Sequence, residues 1–115
     1  ALGCSNALAF NGISSIVTIP STILPGIDRN TPFTFQTWFF TSIGCCNQVI
    51  FSKRNPVAPN NGIEIGLQNA SPYLRLDNNT STNDFLQVTM DGSLPGGLYH
   101  LTIAYDGSGS ADGVQ

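Results

Sequence analysis

Apolar and polar residues alternate with a period of two along most of the chain, and no stretch of about eleven residues or more keeps an apolar stripe at helical spacing. Alternation of this kind places one side of an extended segment against a core and leaves the other to solvent, so the pattern predicts an all-β chain. Residues 7–10 and 15–19 read as two short strands joined at Asn11-Gly12, a dipeptide that accepts the positive φ of a tight hairpin turn, and Pro20 stops the second. A turn-rich stretch with Pro25-Gly26 and Pro32 precedes residues 33–41 (FTFQTWFFT), whose aromatic and β-branched content marks a central strand. It carries bulk on both faces, with Phe33, Phe35 and Phe39 on one and Trp38 and Phe40 on the other. Residues 48–52, 62–68, 73–77, 85–90 and 98–105 continue the series. Between them fall turn or loop signals at Asn55-Pro56, Asn60-Asn61-Gly62, Ser71-Pro72, residues 78–83 and Asp91-Gly92. About eight strands spaced roughly ten residues apart predict an antiparallel β-sandwich or jelly roll. Within it Ile63, Ile65 and Leu67 point one way and Glu64 and Gln68 the other. Leu74 and Leu76 face the core, while Tyr73, Arg75 and Asp77 face out or into a groove.

The length of 115 residues suits one ordinary domain, and with no internal repeat or linker residues 1–115 are treated as a single unit. Only 10% of the residues are charged, and Asn, Ser and Thr fill the gap. The net charge is −3 and the largest basic cluster is Lys53-Arg54, so the electrostatic footprint of a nucleic-acid binder is missing. No apolar run approaches the roughly eighteen residues of a membrane-spanning helix, and membrane insertion is not expected. Three cysteines, Cys4, Cys45 and Cys46, lack the paired CxxC spacing of a zinc ribbon. A disulfide from Cys4 to Cys45 or Cys46 is the preferred reading, with three buried free thiols or a vicinal Cys45-Cys46 bridge as alternatives. A Cys4 bridge implies an oxidising compartment, and the abundance of Asn, Ser and Thr suits a secreted or cell-surface location.

Several segments, taken in order, resemble the laminin-G-like or concanavalin-A-like jelly roll of secreted and surface proteins. Residues 7–12 (ALAFNG) followed by 16–20 (IVTIP) are similar to the family's opening hairpin, residues 33–39 (FTFQTWF) to its FT-x-x-x-W strand, and residues 49–53 (VIFSK) to its I-F-S-K strand. Residues 99–107 (YHLTIAYDG) resemble its WHHVAVTYDG signature, with Leu98 at the usual tryptophan. The resemblance implies a concanavalin-A-like β-sandwich. In that family further strands follow the YDG turn, so it also implies a domain truncated at its C-terminal side, with the missing strands supplied by a neighbouring chain or by the rest of a longer protein.

Little in the sequence points to catalysis. Glycoside hydrolysis needs two carboxyl groups about 5–9 Å apart, yet Glu64 is the sole glutamate and the E-x-D-x-x-E pattern of jelly-roll glucanases is absent. The single histidine, His100, has no triad partners legible in the sequence and is expected to pack within the sandwich. Calcium is the cofactor the chain could accept, because Asp106 and Asp112 flank a tight turn of glycines and serines and oxygen ligands suit that ion, although DGSGSADG also describes a plain hairpin loop. Carbohydrate recognition uses aromatic faces beside amide and charged side chains. Tyr73, Arg75, Asp77 and Asn79 are the candidates, whereas Trp38 is expected in the core. The expected function is a non-catalytic extracellular binding or adhesion module for a glycan or a surface protein. The alternative is a structural module of an extracellular fibre, adhesin or phage appendage whose faces make protein contacts. Thiol titration of the denatured, unreduced chain should find one reactive thiol if Cys4 is bridged; three would overturn the disulfide.

Overall fold

The computed structural model of the chain describes residues 6–20, 22, 26–42, 46–54, 61–78 and 85–115. Its strands run in the order β1 (Phe33–Thr41), β2 (Gln48–Arg54), β3 (Asn61–Gln68), β4 (Ser71–Asn78), β5 (Phe85–Thr89) and β6 (Gly97–Tyr105), followed by a 3-10 turn at Ala111–Gly113. β2 to β5 form an antiparallel meander in sequence order, while β1 pairs antiparallel with β6 in a second, two-stranded sheet. The chain therefore opens one sheet, completes the other, and returns to close the first. Among the described residues no helix is long and apolar enough to cross a membrane.

The alternation read from the sequence explains how the two sheets meet. From the meander, β3 and β4 turn Ile63, Ile65, Leu74 and Leu76 inward. From the smaller sheet, β6 contributes Ile103 and Tyr105, and Phe33, Phe35 and Leu101 pack around them. The Phe35 and Phe51 rings meet across the gap with centroids 5.3 Å apart, joining β1 to β2. Two antiparallel sheets share one apolar core, the arrangement of a β-sandwich. A bulge between Val49 and Phe51 breaks strict alternation in β2 and brings Phe51 to the face that meets the other sheet.

Three expectations need correction. The Asn11-Gly12 turn forms, with Gly12 at φ 70° and Asn11 Oδ1 accepting hydrogen bonds from the N–H groups of Ile13, Ser14 and Ser15 at 2.9 Å each. Residues 7–10 and 15–19 nevertheless adopt no strand, and Leu8, Phe10, Ile16, Val17 and Ile19 are all exposed. A local side-chain cap is enough to make the turn, but a strand also needs a partner edge and a face to bury. Second, β1 is not enclosed on both faces: it lies in the smaller sheet, and its outer residues Trp38 and Phe40 are 66% and 71% exposed. His100, placed in the sandwich by sequence reasoning, is exposed beside Trp38. Third, the turn assigned to Ser71-Pro72 falls two residues earlier. Asn69 and Ala70 take φ of 50° and 67°, the paired positive values of a tight hairpin turn, and Ser71 and Pro72 belong to β4. Cys4, Cys45 and Asn79 lie outside the described residues. Cys46 is exposed at φ 71°.

A buried tyrosine ties the core to the loops at one end. The Tyr105 hydroxyl donates to the Arg29 carbonyl and accepts from Gly109 N–H at 2.7 Å. Beyond it the chain turns back, so that Ala104 and Gln115 exchange N–H···O bonds at 2.8 Å in both directions. Tyr105→Phe keeps the ring and leaves two backbone groups without their partner, so it should lower stability by about 1–2 kcal/mol. Urea denaturation of the variant should show an earlier midpoint with an unchanged slope.

Candidate functional site

The outer face of the meander gathers four charged side chains that the sequence scatters, Arg54, Glu64, Arg75 and Asp77. Register sets Arg54, Gly62 and Asp77 side by side across β2, β3 and β4, then Ser52, Glu64 and Arg75, then Val49, Gly66 and Tyr73. The two glycines are gaps that longer neighbours cross. Over Gly62, at φ 131°, Arg54 reaches Asp77, with Nε 2.8 Å from Oδ2. A side chain there would collide with the Lys53 carbonyl. Over Gly66 lies the Tyr73 ring, close enough that a Cβ would meet its Cε1 and hydroxyl at 3.0 and 3.1 Å. That position carries the Tyr73 hydroxyl to Glu64, to which it donates at 2.7 Å.

The result is a closed polar network. Glu64 also accepts from Arg54 Nη1 at 3.0 Å, and Asp77 accepts from Arg75 Nε at 3.0 Å. The Arg54–Asp77 contact is ionic without hydrogen-bond alignment, since neither Arg54 Nε nor Asp77 Oδ2 has a hydrogen-bond partner. Two carboxylates and two guanidiniums thus neutralise one another, which is what allows Asp77 to be buried on this face. Arg75 is held from its other side by Phe85, whose ring centroid lies 4.1 Å from the guanidinium carbon. Burial and the Glu64 hydrogen bond push the Tyr73 hydroxyl up to about 12. Burial works against the charge on Arg54, but the Glu64 hydrogen bond and the Asp77 and Glu64 charges more than offset it and raise its pKa.

Beside this network a groove of about 140 Å³ is lined by Asn47, Glu64, Gln68, Tyr73, Arg75 and Gln87. Gln87 Nε2 donates to Gln68 Oε1 at 3.1 Å across its rim. The structure therefore brings three of the sequence candidates, Tyr73, Arg75 and Asp77, onto one face, with Tyr73 and Arg75 at the groove. Tyr73 offers its hydroxyl there but not an open ring, because the ring is spent on Gly66 and is only 8% exposed. Glu64, Gln68 and Gln87 were missed as site residues. The signal for Glu64 was present, in its alternation with Ile63 and Ile65 and in the glycines at 62 and 66.

The other pair of candidates lies at the far corner of the smaller sheet. Asp106 and Asp112 both line a depression of about 440 Å³ with Pro32, Phe33 and Tyr105. Asp106 Oδ1 accepts from Ser108 N–H at 2.8 Å, and the hydrogen bonds from Ser108 lower its pKa. Gly113 packs against that carboxylate so closely that a Cβ would strike it. Asp112 N–H is capped by Ser110 Oγ at 3.3 Å. Among the described residues no group of three or more His, Cys, Asp or Glu side chains is placed to hold a metal ion.

No family model, curated protein or solved structure matches the chain.

The phenol gives a pH signature with a definite sign. Its folded pKa lies above the ordinary value of 10, so its contribution to stability is intact below pH 10 and is lost as pH rises towards 12. Denaturant midpoints taken from pH 9 to pH 12 should fall more steeply for the wild-type chain than for Tyr73→Phe. Parallel curves would show that the network places no constraint on this hydroxyl.

Proposed function

We propose that the chain is a non-catalytic binding module of a secreted or cell-surface protein, built on a laminin-G-like jelly roll, and that the groove on the outer face of the meander receives a carbohydrate. The fold reading is supported by the ordered motifs of the sequence together with a sandwich of two antiparallel sheets. The ligand reading is carried by one observation: a groove of about 140 Å³ lined by side-chain amides, a guanidinium, a carboxylate and a phenol. Such planar donors and acceptors suit hydroxyl groups presented at fixed angles, and they sit on strands that hold them in place. Arg75 is braced by Asp77 and Phe85, so little ordering is left for binding to impose on it. Glu64 and Asp77 are both engaged by arginines, an arrangement suited to anchoring rather than to acid–base work.

The full chain should bind a subset of saccharides on a glycan array, and Gln87→Ala should weaken that binding about tenfold, the effect of one or two lost hydrogen bonds. Repeating the titration in EDTA tests whether calcium at Asp106 and Asp112 contributes. Absence of saccharide binding by the folded chain, or binding that ignores both Gln87→Ala and Arg75→Ala, would overturn the assignment.

A further inference from the structure

The Asn11-Gly12 turn surrounds a side-chain amide with hydrogen-bond donors. Asn11 Oδ1 accepts from the N–H groups of Ile13, Ser14 and Ser15 at 2.9 Å each, while Asn11 Nδ2 donates to Ser14 Oγ at 3.1 Å. Ser15 Oγ completes the turn by accepting from Asn11 N–H at 3.3 Å. A carbonyl oxygen offers two lone pairs, so three donors exceed what the amide can satisfy. An oxygen that has become a tetrahedral oxyanion carries three lone pairs and a full charge, and it matches three convergent N–H groups. The turn is therefore more complementary to an addition product at Asn11 Cγ than to the amide itself, which is the condition for lowering a barrier.

A nucleophile for that carbon is next in the chain. The main-chain nitrogen of Gly12 can close on Asn11 Cγ to form a cyclic imide, and glycine lacks the Cβ that would crowd the ring. We propose that Asn11 is a self-deamidating site, at which the N–H groups of residues 13–15 and the Ser14 hydroxyl promote loss of the amide. Gly12 N gives its proton to solvent and attacks Cγ, and the negative charge that forms on Oδ1 is held by the three N–H groups. Nδ2, now tetrahedral and basic, takes a proton from Ser14 Oγ, the Cγ–Nδ2 bond breaks and ammonia leaves, after which Ser14 recovers a proton from water. A further water opens the imide and leaves a normal or a β-linked aspartate at position 11. The product adds one negative charge to a chain of net charge −3, and the normal aspartate can accept from the same three N–H groups with a charged oxygen. The other Asn-Gly pair, Asn61-Gly62, is held differently. Gly62 is buried in β3 and pairs with Arg54 on one side and Asp77 on the other, which keeps its nitrogen in the ladder. This inference uses neither the groove nor its residues and goes beyond the carbohydrate assignment.

Incubating the full chain in mildly alkaline buffer, once native and once in denaturant, and mapping its peptides by mass spectrometry tests the inference. The native chain should exchange the Asn11 amide for an acid about tenfold or more faster than the denatured chain does, with Asn61 left intact. Ser14→Ala alters an exposed residue of the turn, outside the sandwich core, and should slow the native reaction about tenfold or more while leaving the rate in denaturant unchanged. Ser14→Thr keeps the hydroxyl and should keep the native rate. An Asn11 that reacts no faster in the native chain than in denaturant would overturn the inference, because the hydrogen bonds would then be guarding the amide. So would a Ser14→Ala chain that reacts at the wild-type rate.

Discussion

The contact between the two sheets is the constraint on which the molecule depends. A two-stranded sheet has to cover the apolar face of a four-stranded one, and it does so with bulk: Phe33 and Phe35 from β1, Ile103 and Tyr105 from β6. Because β1 and β6 are separated in sequence by the whole meander, this packing is also what closes the fold, holding the first strand to the last. Tyr105 combines both tasks, since its ring packs beside Phe33 at 5.6 Å while its hydroxyl holds two loops. A narrow covering sheet has a consequence for its own outer side, which meets no third layer among the described residues. Its aromatic residues stay exposed.

The outer face of the meander solves the reverse problem, that of packing charge densely on a sheet that is already covered on its other side. Its solution depends on absent side chains. Gly62 and Gly66 alternate with Glu64 along β3, and each lets a neighbour from an adjacent strand cross the space above it. The carboxylates are then neutralised by the two arginines, and the amides of Gln68 and Gln87 are left at the groove. Charge neutrality at this face comes from cross-strand reach, which residue spacing along any single strand does not reveal.

This division accounts for what the sequence made legible. β1 was recovered to its end residues, because its aromatic and β-branched run is bounded by Pro32 and by a change of composition. The four strands of the meander were each placed to within two residues at either end, because one face of each is buried and alternation is then enforced. Where no face is buried the same pattern misled, and residues 7–10 and 15–19 have strand-like alternation but leave their apolar side chains exposed. Trp38 was misplaced for a related reason, since an aromatic on a strand does not declare which layer is missing. At the site, Tyr73, Arg75 and Asp77 were legible from their common face. The part of Glu64 was not, because it is defined by partners on two other strands.

The position of Trp38 bears on how the molecule can be observed. It is the only tryptophan in the chain, and it stands on the solvent side of the smaller sheet, one layer removed from the core residues Ile63, Ile65, Leu74 and Leu76. Intrinsic fluorescence therefore reports the polarity around an outer surface and is nearly blind to the interior. A quencher dissolved in the buffer reaches the indole while the sandwich is fully folded, and emission changes little when the core melts. Spectroscopic access to the interior falls instead to the tyrosines, with Tyr105 in the core and Tyr73 bound to Glu64.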